Sequence, residues 1–280
     1  MKRIMKWTGI GLAVVAAVIA VAVYGVSELR LLRIYDVALT AFRARTGLSM
    51  EEAERRTRSL MCIGCHREAG NVIFEAPWVG RLVAPNLTRL VPAYSDAELE
   101  RLIRHGVKKD GTGVVAMPSA SFAHLADEDV SAIVTWLRSR KPLPDSGPSA
   151  TEWGPLGRLA LALGQVPYDA DHIPPVKAPA NRPKELGRYL YESTCSHCHD
   201  LDEARQVQKQ TAPGLRIVTP AYPLDAFRAL LRTGKGLGDR ELGLMSVTAR
   251  EDLRHFTDRE IDAIYRFLTV SEGGEAAGEK

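Results

Sequence analysis

Cys62-Ile63-Gly64-Cys65-His66 and Cys195-Ser196-His197-Cys198-His199 are two copies of one pattern, Cys-x-x-Cys-His, and between them they use all four cysteines of a 280-residue chain. Two thiols about one helical turn apart, with an imidazole directly after the second, are what covalent attachment of a c-type haem requires. The thiols add across the two vinyl groups of the porphyrin, and the imidazole reaches the iron. Zinc is the competing reading of a Cys/His cluster, but a structural zinc needs four ligands close together. Here Cys65 and Cys195 stand 130 positions apart, and each cluster has its own thiol pair and histidine. Two disulfides are the other alternative in an oxidising compartment, and the repeated spacing argues against them.

The chain between and after the motifs also repeats. Ala84-Pro85-Asn86-Leu87 and Pro92-Ala93-Tyr94 return 128 positions later as Ala212-Pro213-Gly214-Leu215 and Pro220-Ala221-Tyr222. The same offset carries Gly106 onto Gly234 and Met117 onto Met245. It is 133 at the cysteine motifs, so the second copy has lost five residues between motif and proline, and 131 in the last helix. The repeat reads as a duplicated domain: motif, proline loop, short helix ending at glycine, methionine, closing helix. Ser49 with Glu52, Ser95 with Glu98 and Thr257 with Glu260 have capping-box spacing and predict helix starts. Val130, Ile133, Val134 and Leu137, and likewise Ile261, Ile264 and Leu268, form apolar stripes at helical spacing, which packing explains fully.

With His66 and His199 on one side of each iron, the second axial ligand decides what the site does. Outside the N-terminal region the methionines are Met50, Met61, Met117 and Met245. Met61 adjoins an attachment cysteine and Met50 has no counterpart. Met117 and Met245 lie 11 residues beyond matched glycines, expected in loops before the closing helices, and are the favoured ligands. His124 and His255, also matched, stay open as rivals. For His105, which matches a threonine, and for His197 between the second pair of cysteines, surface roles are expected.

At the N-terminus, Lys2, Arg3 and Lys6 precede Trp7 to Ser27, an uncharged run of 21 residues able to cross about 30 Å of hydrocarbon. A retained inner-membrane anchor over residues 1–28 is expected, with the rest of the chain in the bacterial periplasm. A signal peptide cleaved after Ala20-Val21-Ala22 is the alternative. Removing Lys2, Arg3 and Lys6 from the 37 basic residues leaves 34 against 34 acidic, so no basic field is available for nucleic acid. Alternating strand patterns are scarce and helical periodicity recurs.

These residues resemble a pair of class I cytochrome c domains over roughly residues 50–270. The first copy, with Ala84-Pro85-Asn86-Leu87-Thr88 and Ala116-Met117-Pro118, is similar to domains of membrane-anchored multihaem cytochromes that accept electrons from periplasmic dehydrogenases. The resemblance implies an all-α fold, an N-terminal transmembrane helix followed by two tandem cytochrome c domains at 46–140 and 184–270. It implies two covalently bound haem c groups, with iron held by His66 and Met117 and by His199 and Met245. It implies that the carbonyls of Pro85 and Pro213 hold the other ring nitrogen of His66 and His199, and it leaves Tyr94 and Tyr222 open between a propionate and packing. Two departures stand out. Ser246 follows Met245 where Pro118 follows Met117, and Arg55, Arg56 and Arg58 precede the first motif where Gly187, Tyr189 and Tyr191 precede the second.

Residues 141–183 hold nine of the 16 prolines and predict a stiff connector. Its apolar patch, Leu156 to Leu163, is either a short helix packed on a lobe or a docking surface for a membrane partner. Residues 271–280 read as a disordered tail. The functional expectation is an electron-transfer protein relaying single electrons between a dehydrogenase or quinol-oxidising partner and a terminal acceptor. A fixed subunit of a respiratory or oxidase complex and a dihaem cytochrome c peroxidase are the alternatives.

Overall fold

The computed structural model describes residues 2–45, 47–207 and 209–270, so the tail at 271–280 lies outside the described residues. Helix α1 (Lys2–Leu31) takes up the uncharged run. Within Ile4–Leu31 the most apolar 18-residue window has a mean hydropathy of 2.5 and is not covered by the rest of the chain, so by length and composition the helix fits a membrane anchor.

The first lobe runs α2 (Met50–Ser59), α3 (Cys62–His66), β1 (Asn71–Ala76), β2 (Gly80–Ala84), α4 (Leu87–Leu90), α5 (Asp96–His105), α6 (Ser119–Phe122) and α7 (Asp127–Ser139). The connector supplies β3 (Glu152–Trp153) and α8 (Pro155–Ala162). The second lobe runs α9 (Leu186–Ser193), β4 (Arg205–Val207), β5 (Gln210–Ala212), α10 (Leu215–Val218), α11 (Leu224–Thr233), β6 (Lys235–Gly236), β7 (Arg240–Glu241), α12 (Leu244–Glu251) and α13 (Asp258–Thr269).

The all-α expectation is corrected by these strands. They form a three-stranded antiparallel sheet, β1-β2-β3, and two hairpins, β4-β5 and β6-β7. Strands of two to six residues are too short to carry an alternating pattern that sequence periodicity can register. The fold is otherwise mostly helical.

Full capping boxes form at Ser95/Glu98 and Thr257/Glu260. At Ser49 only half forms: its side chain accepts from the Glu52 amide, while the Glu52 carboxylate is taken by Arg55 and Arg56. In each lobe the closing helix packs on the first helix, α7 on α2 and α13 on α9. Val130, Val134 and Ile261 are fully buried in these contacts. The lobes cross differently. A Cβ on Gly187 of α9 would lie 2.0 Å from the Ala263 carbonyl, so only glycine allows α13 this close, whereas α2 carries Glu54 at the matching place.

The two lobes share one apolar core and meet across a pseudo-two-fold seam. Ser121 bonds Ser196 at 2.9 Å and Phe122 meets His197 edge-on at 5.2 Å between ring centroids. The repeat-related contact sets Asp252 against Gly64, whose amide it accepts. Ion pairs bind the seam. Arg55 donates to Glu260 at 2.7 Å and to the His255 carbonyl at 2.9 Å. The fully buried Asp129 accepts from Arg182 at 2.7 Å, from Arg56 at 3.1 Å and from the Tyr189 hydroxyl. Arg182 also bonds Glu260. In the connector, the patch at 156–163 forms α8, which packs on α1 and the β1–β2 hairpin.

Candidate haem sites

Each site begins as a histidine at the end of its motif and a proline that a hairpin brings back over it. In the first lobe β1 pairs with β2 from Asn71↔Ala84 to Ala76↔Gly80, which returns the chain to Pro85 beside His66. The His66 Nδ1 lies 2.8 Å from the Pro85 carbonyl. In the second, the shorter β4–β5 hairpin, Arg205↔Ala212, places Pro213 over His199, again at 2.8 Å. The five residues missing from the repeat are absorbed in this hairpin. A carbonyl only accepts, so each Nδ1 carries the proton, and each Nε2 is left with a free lone pair for a metal. Burial pushes both imidazoles down from the ordinary histidine value, against the pull of the proline carbonyls, and so favours the neutral ring that ligates.

The thiols are free and close to their histidines. Cys62 and Cys195 are pushed up to about 12 by burial, so both are neutral thiols rather than thiolates. Among the described residues no group of three or more His, Cys, Asp or Glu converges as a zinc site requires.

In the second lobe, Cys195, Cys198, His199 and Met245 line a single cavity of about 580 Å³ whose remaining wall is largely apolar, with Leu230 and Phe227. That volume lies in the range of cofactor cavities, about 300–1,000 Å³. Two thiols, an imidazole and a thioether around one apolar space are the donors that covalent haem needs. Met245 sits in the first turn of α12, not in the expected loop. The neighbouring Ser246, which replaces proline, explains the change: its hydroxyl accepts from the Leu242 amide at 2.7 Å and donates to the Gly234 carbonyl, pinning the helix start. Met117 does lie in a loop, after Ala116 in the left-handed region at φ 64, and packs partly buried against the core.

Several residues take places that sequence did not give them. Met61, in the left-handed conformation at φ 65, lines the second lobe's cavity from the first lobe. His197, expected at the surface, is partly buried: its Nε2 is buried with no hydrogen-bond partner among the described residues, and burial pushes the ring down to about 4. His124 pairs across the seam with Glu192 at 3.4 Å, and the backbone carbonyl of His255 accepts from Arg55 there. Tyr222 lines the cavity, whereas the Tyr94 hydroxyl accepts from the Lys109 amide at 3.4 Å. The one signal for the seam was that Arg55 and Arg56 stand where the second copy has other residues.

Comparison with known proteins agrees with this geometry. Residues 49–137 and 182–268 match the family described as cytochrome c oxidase, cbb3-type, subunit III. The chain is 26% identical over 252 residues to the cytochrome c subunit of a quinone alcohol dehydrogenase from Gluconacetobacter polyoxogenes, covering 74% of this chain and 52% of the relative. It is 26% identical over 262 residues to the gluconate 2-dehydrogenase cytochrome c subunit of Pantoea cypripedii, covering 78% and 58%. It is 25% identical over 248 residues to the fructose dehydrogenase cytochrome subunit of Gluconobacter japonicus, covering 74% and 49%. The chain thus spans about half the length of these curated relatives. Its two matched regions imply covalently bound haem c, and the relatives are named as cytochrome subunits of dehydrogenases. The chain belongs to the cytochrome c family described as cytochrome c oxidase, cbb3-type, subunit III.

Proposed function

We propose that the chain is a dihaem cytochrome c, anchored by α1 in the inner membrane with both lobes in the periplasm, that relays single electrons from a dehydrogenase or quinol-oxidising partner toward a terminal acceptor. Haem bound in each lobe supplies a one-electron couple. Cys62 and Cys65 would attach the first and Cys195 and Cys198 the second, and His66 with Met117, and His199 with Met245, would hold the iron. The observation that carries this reading is the duplicated donor set: two imidazoles with Nδ1 tethered at 2.8 Å to a proline carbonyl, one of them sharing its cavity with Met245.

What the chain's residues do follows from that set. The proline tethers orient each imidazole and raise its basicity. A thioether as the second protein ligand would suit a relay rather than a peroxidase and would raise the potential. Ser196 and His197 of one motif pack on the first lobe, and Gly64 of the other on the second, so each attachment segment lies against the opposite lobe. The relatives named as dehydrogenase cytochrome subunits support a dehydrogenase as electron donor.

The test is a haem count with a ligation spectrum. Two haems per chain that survive acid-acetone extraction, both low-spin with the weak far-red sulfur-to-iron band, are expected. A high-spin haem that turns over peroxide would hand the site to the enzyme reading.

A further inference from the structure

The β1–β2 hairpin ends in a conformation that a tryptophan should avoid. Trp78 sits at φ 64, in the left-handed region where a bulky side chain is a true outlier, and the residue is 73% exposed. Strain spent to display an aromatic ring to solvent calls for a use.

The tip is rigidly joined to α8. The Leu156 amide donates to the Trp78 carbonyl and the Gly154 amide to the Val79 carbonyl, both at 2.9 Å, while Gly80 pairs with Trp153. A Cβ on Gly157 would lie 2.2 Å from the Val79 carbonyl, so a glycine is what lets α8 seat on the hairpin. Helix α8 is in turn fastened to α1 at the level where its uncharged run ends. Arg158 donates to the Ser27 hydroxyl at 3.0 Å and to Glu28 at 2.8 Å, and lies over the Tyr24 ring at 4.1 Å. Leu161 is fully buried in this junction, while Leu156 and Leu163 are 52% and 62% exposed.

We propose that the hairpin tip and α8 form a membrane footing: Trp78, Leu156 and Leu163 lie in the headgroup–acyl boundary of the bilayer that α1 crosses. This rests on the reading of α1 as the membrane span. Lipid is the occupant because the patch is continuous with α1 at the edge of its apolar run, where Tyr24 already has the place of an interfacial aromatic, and because tryptophan prefers that depth. A short helix burying one apolar face there is an interfacial helix. The footing acts on the site through the hairpin. The strand that leaves Trp78 ends at Ala84, next to the Pro85 carbonyl on His66, so the footing fixes the tilt of the first lobe's imidazole relative to the bilayer.

The test uses the full holoprotein, one chain per nanodisc of phosphatidylethanolamine and phosphatidylglycerol. Haem attachment consumes the native thiols, so a single introduced cysteine takes a nitroxide label uniquely. Labels on Trp78→Cys and Leu156→Cys should relax several-fold more with oxygen than with a water-soluble nickel complex. A label on Asp225→Cys, on α11 of the second lobe, should do the reverse. In a Trp78→Gly background, which suits the left-handed turn, the Leu156→Cys label should shift toward water. Labels as wet as that at 225 in a chain that stays in the disc would overturn the footing alone, and labels shielded from both reagents would overturn it in favour of a protein contact. Loss of the chain from the disc after a high-salt wash would overturn anchor and footing together.

Discussion

The proline loop of the first lobe is strapped to the connector, whereas that of the second bonds within its own lobe. Asn86, just after the histidine's proline, donates to the Leu143 carbonyl at 3.0 Å and to Asp145 at 2.9 Å, and Thr88 accepts the Leu143 amide at 2.9 Å. Ser146 reaches back to the Ala69 carbonyl at 3.1 Å, Tyr35 to Gly111 at 2.9 Å, and Tyr168 bridges Val115 near Met117. The second lobe has Gly214 where Asn86 stands, and the next amide, Leu215, bonds only within its own lobe, to the Asp200 carbonyl at 3.0 Å. The consequence reaches the sites. The His66 tether is partly buried, whereas the His199 tether is exposed. Duplication supplied two cytochrome c folds, and the proline-rich connector braces the proline loop of only the first.

The largest break of this comparison removes one attachment site. Cys195→Ala with Cys198→Ala should halve the covalent haem, measured as pyridine haemochrome per chain, and leave an unfilled cavity of about 580 Å³ in the unstrapped lobe. Cys62→Ala with Cys65→Ala should cost the same haem but less thermal stability, because the connector still holds that lobe. Equal losses of Tm would show that the straps do nothing.

Axial ligation sharpens the contrast next. Met117→Ala and Met245→Ala should each remove about half of the far-red band, lower one potential and open one iron to added imidazole. Binding should be faster in the Met245 variant, whose site is the less covered. Equal rates in stopped-flow mixing would mean that the exposed His199 tether does not report access to the iron.

The seam is the third target. Arg182→Met removes the cation shared by buried Asp129 and Glu260, and breaking a buried pair in this way is expected to destabilise by about 3 kcal/mol. Since these bonds hold lobe to lobe, calorimetry should show one unfolding transition in the parent and two in the variant. A single, merely lowered transition would place the coupling in the shared apolar core instead.

Attachment motifs, proline loops and closing helices were legible because they rest on local spacing that both copies repeat. Residues such as Val130 and Ile261 declare their burial through helical periodicity alone. The hairpins were not legible, since two to six paired residues leave no period. The helical setting of Met245 was hidden because it depends on Ser246 reaching Gly234. The seam escaped for a different reason: Arg182 lies in a proline-rich segment that reads as linker, and its partners Asp129 and Glu260 look like ordinary first-turn acids of α7 and α13. His197 looked like a surface residue because part of its cover, Phe122, comes from the other lobe.

The smallest effect concerns a place where the seam's two-fold is chemically unequal. On one side Ser121 meets Ser196, two neutral hydroxyls. On the other, Asp252 is 4% exposed beside Gly64, and burial first, then the neighbouring charge of Glu251, pushes its carboxyl up to about 6, although the Gly64 amide and Arg67 pull it down. A carboxyl raised in the folded state binds its proton more tightly there than in the unfolded chain, where the value is about 3.9. Its stabilising contribution is therefore complete below about pH 4 and is lost as pH rises through about 6. Two units correspond to at most about 2–3 kcal/mol. Asp252→Asn keeps an oxygen to accept the Gly64 amide and cannot ionise. The difference in unfolding free energy between variant and parent should be near its minimum at pH 4 and grow in the variant's favour to a plateau above pH 7. Taking the difference cancels the opposite trend of carboxylates such as Glu52, held down to about 2 by Arg55 and Arg56, which lose stability as pH falls. Parallel curves from pH 4 to 8 would show that Asp252 is ionised at no cost and that the two sides of the seam are equivalent.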